Sequence, residues 1–190
     1  MIHINLEDSI LYDGSQIQPL WAFKTCEIKE SSIITWIGPM NIDSSLVMDC
    51  EDVGLEIKSD EMIHFIIEHF DCQPTDMRMA YHRQRIFVMI VKEVLSELNI
   101  STKRSGDDLF INKHKLTVSI ATCSQSSIKI HFGINMTSKG TPDDVKAIGV
   151  LEASEDIEKV DIKKLISEIC TKYINEISSI DKDIAKTRVF

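Results

Sequence analysis

Residues 106–121, GDDLFINKHKLTVSIA, together with residues 128–135, IKIHFGIN, decide the fold of this chain. Between Leu109 and Asn135 polar and apolar residues alternate with a period of two, which predicts antiparallel strands with one buried face. One set of side chains is expected in the core: Leu116, Val118, Ile120, Ile128, Ile130, Phe132 and Ile134. The opposite set is mostly polar or small: Lys115, Thr117, Ser119, Ala121, Lys129, His131, Gly133 and Asn135.

The polar face carries mostly short side chains, whereas a face in contact with water usually carries long charged ones. Gly133 lies inside a predicted strand, where glycine often marks the close approach of another backbone or of a ligand. Small residues with a few specific polar groups are typical of a ligand pocket, and here those groups would be Lys115, His131 and Asn135. The same pattern fits an exposed sheet face or a face covered by a loop, and the sequence leaves these alternatives open.

The segments around these strands predict a mixed fold. Residues 33–37 and 45–49 are expected to be short strands, and the first should end at the Gly38-Pro39 pair. Apolar spacing and capping residues predict helices over residues 59–70, residues 77–98, a short stretch from Thr141 and residues 160–180. We therefore expect an α+β fold, with a mixed, mainly antiparallel sheet and helices packed on one side, in a single domain over residues 1–190.

Composition excludes several classes of partner. The net charge of -9 argues against nucleic acid and anionic membranes, both of which favour clustered lysine and arginine. No run of about 18 apolar residues is present, and the N-terminal residues lack the basic start of a signal peptide. The five cysteines are scattered and form no C-x-x-C pair, as expected for reduced thiols. These features predict a cytoplasmic protein.

The stretches DDLFINKHKLTVSIA and IHFGINM resemble motifs of the biotin/lipoate protein ligase superfamily, which includes octanoyltransferases. In that superfamily a lysine opens one strand and a glycine-containing strand ending in asparagine follows it. The whole chain resembles an archaeal family of unknown function within the superfamily, through YDGSQ (12–16), MDCED (48–52), MIHF (62–65), RQR (83–85) and IHFGIN (130–135). The resemblance implies a ligase catalytic domain, similar to the class II synthetases.

The resemblance also implies roles for individual residues. Lys115 would be the catalytic lysine that contacts the carboxylate and the phosphate of an acyl-adenylate, and Asp108 would lie near the nucleotide and its metal. The substrate-binding residues expected from the strands and from the long helix are Ser119, His131, Gly133, Asn135, Arg83 and Arg85. ATP and Mg²⁺ are the implied cofactors. The implied partners are a small carboxylated molecule and an acceptor protein, and a homodimer is left open.

The chain departs from the ligases in two respects. Their glycine- and arginine-rich loop is absent, since the upstream glycine stretches are only YDGSQ and WIGPM. The cysteine of the octanoyltransferases is also absent, since Ala147 and Ile148 precede Gly149 at the matching place. Two hypotheses remain: an enzyme that activates or transfers a carboxylated molecule, and a ligand-binding or regulatory module that has lost adenylation.

Three further groups of residues have more than one interpretation. The acids Asp49, Glu51, Asp52 and Glu56 could hold a divalent metal or form a solvated loop. Within the predicted helix, His64, Glu68 and Cys72 have the spacing of metal ligands, although a buried histidine explains His64 as well. The two arginines could reach an anionic ligand or form surface ion pairs. An active site requires that Lys115, His131 and an arginine from residues 83–85 converge on one cavity.

Overall fold

The computed structural model describes residues 1–153 and 161–188. The strands are β1 Ile2–Asn5, β2 Ser32–Asn41, β3 Lys58–His69, β4 Lys103–Ser105, β5 Asp108–Ile111, β6 His114–Lys115, β7 Thr117–Cys123 and β8 Ile128–Asn135. The helices are α1 Trp21–Cys26, α2 Met77–Glu97, α3 Val150–Ala153 and α4 Ile162–Lys186. No helix in this part of the chain is long and apolar enough to cross a membrane.

The main sheet has five strands in the order β1-β2-β3-β8-β7. The pair β1-β2 is parallel and the other pairs are antiparallel. One face of the sheet packs against α2 and α4 through a large apolar cluster, and the other packs against α1 and the N-terminal loops through a smaller cluster. The predicted α+β class with a mainly antiparallel sheet is confirmed, and both long helices lie on the same side.

Residues 59–70 were expected to be helical, and this prediction is wrong. Residues 59–69 belong to β3, a strand of 12 residues between β2 and β8, which buries side chains on both of its faces, and residue 70 follows the strand. Apolar residues on all sides are as compatible with a central strand as with a buried helix, and the β-branched isoleucines favour the strand. The proposed ligand spacing of His64, Glu68 and Cys72 is therefore wrong, because four strand residues span about 13 Å. Among the described residues, no group of three or more His, Cys, Asp or Glu is arranged to hold a metal ion.

The predicted alternation along β7 is wrong by one residue, and the cause lies at Leu116. Leu116 precedes the strand, donates its N–H to the Leu109 carbonyl (2.9 Å), and lies in the helix-side core. Thr117 follows on the same side of the sheet, where its Oγ1 accepts the Leu109 N–H at 2.9 Å. Because one extra residue reverses the facing of every later side chain, Val118 packs toward the other face. The predicted alternation along β8 agrees with the core, which contains its four apolar residues.

Two of the predicted helices are confirmed, and the predictions for three other segments are wrong. The 77–98 helix is confirmed as α2, capped by Asp76, whose carboxylate accepts the Met79 N–H at 3.0 Å. The last helix is confirmed as α4; residue 160, where it was predicted to start, lies outside the described residues, and the helix continues six residues beyond the predicted end, to Lys186. β2 does not end at Gly38-Pro39; its pairing with β3 shifts there and continues to Asn41. The expected strand at 45–49 is instead a 3-10 turn, Ser44–Leu46, and the stretch after Thr141 is non-helical.

Candidate ligand-binding site

A cavity of about 190 Å³ lies on the sheet face opposite α2 and α4. Its floor is formed by β7 and β8, and its walls come from the loops around residues 12–17, 40–58 and 141–147. The lining is mostly apolar: Tyr12, Gly14, Ile17, Met40, Ile42, Leu46, Val47, Met48, Asp49, Asp52, Leu55, Glu56, Ile57, Lys58, Lys115, Val118, Ser119, Ile120, His131, Asn135, Thr141, Pro142, Val145 and Ala147.

Lys115 lies at the cavity in a short ion pair. Its backbone is fixed on both sides, because its N–H donates to the Lys146 carbonyl (2.7 Å) and its carbonyl accepts the Ile148 N–H (3.0 Å). Its Nζ is 2.9 Å from Oδ2 of Asp108, and the two side chains are 34% and 24% exposed. Burial raises the pKa of Asp108, and the Lys115 ammonium opposes that rise without reversing it. Lys115 therefore already holds one carboxylate, at a place that a ligand can reach.

His131 lies at the cavity beneath the ring of Tyr12. The two rings stack with centroids 3.6 Å apart and an interplanar angle of 12°. On the side of β3, Nε2 of His131 is 3.1 Å from Nδ1 of His64, and Nε2 of His64 is 3.1 Å from the Gly38 carbonyl oxygen. Burial lowers the pKa of His64 to about 4 and, together with His64, lowers the pKa of His131 well below 6.5. Both imidazoles are therefore uncharged at neutral pH.

The other strand residues proposed for the site lie in different surroundings. Ser119 borders the cavity, but its Oγ accepts from Gln84 Nε2 of α2 (2.8 Å) and donates to the His131 carbonyl (3.0 Å). A side chain at Gly133 would come within 2.8 Å of Met62 and 3.1 Å of Val118, so those side chains fill the space that its glycine leaves. Asn135 lines the cavity, and its Nδ2 donates to the Lys115 carbonyl at 3.4 Å.

The two arginines are paired elsewhere. Arg83 holds both carboxylate oxygens of Asp71, at 2.7 and 2.8 Å. Arg85 binds Asp107 at 3.0 Å and the side-chain oxygen of Gln84 at 2.9 Å. Neither arginine is among the described residues that line the cavity. Of the three residues expected to converge, only Lys115 and His131 line the cavity among the described residues; the arginine that an active site also required does not.

The acidic stretch borders the cavity from the opposite wall. Asp49, Asp52 and Glu56 are lining residues, but Asp49 caps the 3-10 turn Cys50–Asp52 by accepting the Glu51 N–H at 2.9 Å. Glu56 is paired with Lys58 at 2.7 Å. Three carboxylates thus face two lysines in the lining.

The contribution of Tyr12 could not be located from the sequence. It precedes β8 by more than a hundred residues, and it reaches the cavity because the N-terminal loop crosses β2: its N–H donates to the Pro39 carbonyl at 2.9 Å and its carbonyl accepts the Asn41 N–H at 2.9 Å. The close crossing leaves no room at Gly38, where a Cβ would come within 2.3 Å of the Ile10 carbonyl oxygen. In the sequence, Gly38 is the signal of this close approach, although the Gly38-Pro39 pair predicts the end of a strand.

Comparisons with known proteins give a family and a fold. A family model described as "Domain of unknown function (DUF366)" matches residues 1–188. An uncharacterized protein of Methanocaldococcus jannaschii is 42% identical over 190 residues, which is 97% of this chain and 83% of that protein. A solved structure described as a protein of unknown function from Pyrococcus horikoshi superposes with a TM-score of 0.91 at 34% identity, covering 100% of both chains.

A more distant likeness extends to the ligases. The biotin protein ligase from Aquifex aeolicus, solved in complex with biotin and ATP, superposes with a TM-score of 0.64 at 12% identity, over 95% of this chain and 72% of that chain. At that identity the likeness shows a shared fold, and the chemistry has to be argued from the cavity itself.

Proposed function

The chain belongs to the family described as "Domain of unknown function (DUF366)", and we propose that it binds a small carboxylated molecule in the cavity, with the carboxylate at Lys115. The observation that carries this proposal is the part-exposed ion pair, at 2.9 Å, between Asp108 Oδ2 and Nζ of Lys115, a residue that lines the cavity. A ligand carboxylate can take the place of the Asp108 carboxylate, because both present the same oxygens to the ammonium group.

The apolar lining would hold the body of the ligand. Val118 and Ile120 of β7 contribute from the floor, and Ile17, Leu46 and Ile57 contribute from the walls. A volume of about 190 Å³ suits a compact molecule, because cavities for drug-sized ligands are usually about 300 Å³ or larger. Hydrophobic contact along the chain or ring and one charge contact at the end would together select a short organic acid.

Activation of the acid by ATP is the ligase-like form of this proposal. It is supported by the fold shared with a biotin protein ligase and by Lys115, whose ammonium could stabilise the charge that develops between carboxylate and phosphate. An acceptor protein would then receive the acyl group. Asp108, the residue expected to lie near the metal, fits Mg²⁺ poorly in this arrangement, since its carboxylate is paired with the Lys115 ammonium group.

Binding without adenylation is the second candidate, and the charge of the lining favours it. Asp49, Asp52 and Glu56 outnumber Lys58 and Lys115, while Arg83 and Arg85 are engaged away from the cavity. A triphosphate would meet net repulsion from such a lining. A ligand-binding or regulatory module needs only the acid site.

The two candidates separate in one set of measurements. Calorimetry with octanoate, biotin and lipoate, each with and without Mg²⁺-ATP, tests binding, and pyrophosphate exchange tests adenylation. Lys115→Ala should weaken binding of the acid at least about tenfold, the equivalent of about 1.4 kcal/mol. The matched control is Lys182→Ala, an exposed residue of α4 that does not line the cavity, and this variant should bind normally. Acid binding that Lys115→Ala leaves unchanged would refute the proposed site, and exchange of pyrophosphate would select the ligase form.

A further inference from the structure

The histidine pair beside the cavity fixes the position of one proton. A carbonyl oxygen only accepts hydrogen bonds, so the 3.1 Å contact with the Gly38 oxygen requires that His64 carries its proton on Nε2. The Nδ1 of the neutral His64 ring is then an acceptor. The contact between this Nδ1 and His131 Nε2, at 3.1 Å, therefore requires that His131 carries its proton on Nε2. In an uncharged ring, Nδ1 of His131 is left with a free lone pair.

The free Nδ1 of His131 lies on the edge of the ring that is turned away from β3. Nε2 points to His64 on β3, and Cε1 is the ring atom nearest to a Cβ built at Gly133, at 3.6 Å. Nδ1 lies across Cε1 from Nε2, so it is turned away from β3 and toward β7, whose Val118 and Ile120 line the cavity. Tyr12 covers the face of the ring at 3.6 Å, which leaves the ring edge for contact with a ligand.

This nitrogen has no partner within the described part of the chain. None of the hydrogen bonds among those residues involves Nδ1 of His131, although the residue as a whole is only 2% exposed. The fully buried and unpartnered side-chain atoms found among the same residues belong to Ser32, Ser59, His69 and Thr102. Nδ1 of His131 therefore keeps contact with the cavity. A nearly buried acceptor that is open only to a cavity indicates that its partner arrives with the ligand.

Lys115 contacts the far end of the strand that carries His131. Nδ2 of Asn135 donates to the backbone carbonyl of Lys115 on β6, and His131 precedes Asn135 by four residues on β8. Four strand residues correspond to about 13 Å between Cα atoms. The lining therefore holds a cationic residue, Lys115, and a neutral acceptor, His131, at separate places.

We propose that the ligand is a short acid whose end remote from the carboxylate carries an N–H or O–H group, and that this group donates a hydrogen bond to Nδ1 of His131. Amides, ureas and alcohols at the end of a short carboxylic acid belong to this class. The inference rests on the proposed carboxylate site, and it adds the requirement that the opposite end of the ligand carries a hydrogen-bond donor. An acid without the donor would leave the nitrogen desolvated and unpaired, so the cavity discriminates against it.

Two probes differ only in the proposed donor: 5-acetamidopentanoate has an amide N–H where 5-acetoxypentanoate has an ester oxygen. Calorimetry or ligand-observed NMR on the full chain should give at least about tenfold tighter binding of the amide. In His131→Phe, which keeps a flat ring for Tyr12, the ratio should fall to about one. The matched control is His82→Phe on the exposed surface of α2, which should keep the wild-type ratio. Equal affinities in the wild-type protein, or no binding of either probe, would overturn the inference.

A second measurement does not depend on any variant being folded. The ¹⁵N spectrum of the histidines in the wild-type protein distinguishes protonated from unprotonated ring nitrogens. We expect Nδ1 of His131 to be unprotonated and its signal to shift when the amide probe binds. A protonated Nδ1, or a signal that the bound amide leaves unchanged, would overturn the inference. Octanoate, which has no donor, keeps the two proposals separable: if it binds through Lys115, the carboxylate site stands even when the amide and ester bind equally.

Discussion

Two lysine–carboxylate pairs have the same chemistry and different surroundings: Lys129 and Glu68 lie on β8 and β3 of the main sheet, whereas Lys115 and Asp108 lie on β6 and β5 of a small three-stranded sheet formed by β4, β5 and β6. Lys129 and Glu68 are only 2% and 3% exposed, with 3.9 Å between Nζ and Oε1. Lys115 and Asp108 are 34% and 24% exposed, with 2.9 Å between Nζ and Oδ2. The shorter ion pair is the more open of the two.

The two ammonium groups also differ in the number of their partners. Nζ of Lys129 donates to Ser127 Oγ at 2.9 Å and to Ser124 Oγ at 3.2 Å, and the Ser127 hydroxyl donates to Glu68 at 2.6 Å. Every strong partner of that ammonium group belongs to the fold. The only ion-pair partner of the Lys115 ammonium among the described residues is Asp108. The first pair is closed to water, whereas the second is part-exposed, as the proposed carboxylate site requires.

The largest expected effect comes from breaking the closed pair. Lys129→Met leaves the buried Glu68 carboxylate without its cation, which should lower the free energy of unfolding by about 3–5 kcal/mol. Urea denaturation followed by circular dichroism measures this loss. Adding Glu68→Gln to the same chain should restore most of it, because the uncompensated charge is then removed. A single variant that lost less than about 1 kcal/mol would mean that the pair is not buried as described.

The next effect concerns His131, which lies on β8 two residues after Lys129. The pKa of His131 in the folded chain is well below 6.5. As the pH falls below about 6.5, the histidine of the unfolded chain therefore binds a proton, whereas the histidine of the folded chain does not. Stability is therefore lost on acidification, by no more than about 2 kcal/mol between pH 6.5 and pH 5 for this one group. In His131→Phe this contribution disappears, so the variant should lose less stability than wild type over that interval, by up to about 2 kcal/mol. The measurement is urea denaturation of both proteins across the interval, and parallel curves would contradict a neutral buried His131.

The sequence predicted these two pairs unequally well, and the reasons are physical. The sequence predicts Lys115 and His131 as site residues, because both the strand periodicity and the family resemblance involve them. Glu68 was assigned to a helix, since a strand buried on both faces has the same continuous apolar run as a buried helix. The facing of Ser119 was missed because one residue, Leu116, interrupts the alternation, and periodicity carries no information about such an interruption. The sequence could not place Tyr12 at the cavity, because the position of this residue depends on a loop that crosses a strand distant in sequence.

The smallest effect sharpens the comparison at the open pair. Lys115→Met should lower the free energy of unfolding by no more than about 1 kcal/mol at neutral pH, because water still solvates both partners. The Lys115–Asp108 pair exists only while Asp108 is ionised, and burial raises the pKa of Asp108 above its usual 3.8. The difference between wild type and Lys115→Met should therefore shrink toward zero as the pH falls through the pKa of Asp108. Urea denaturation of both proteins from neutral to acidic pH measures this difference. A loss as large as that of Lys129→Met, or one that grows on acidification, would mean that Lys115 is held for stability and is not available to a ligand.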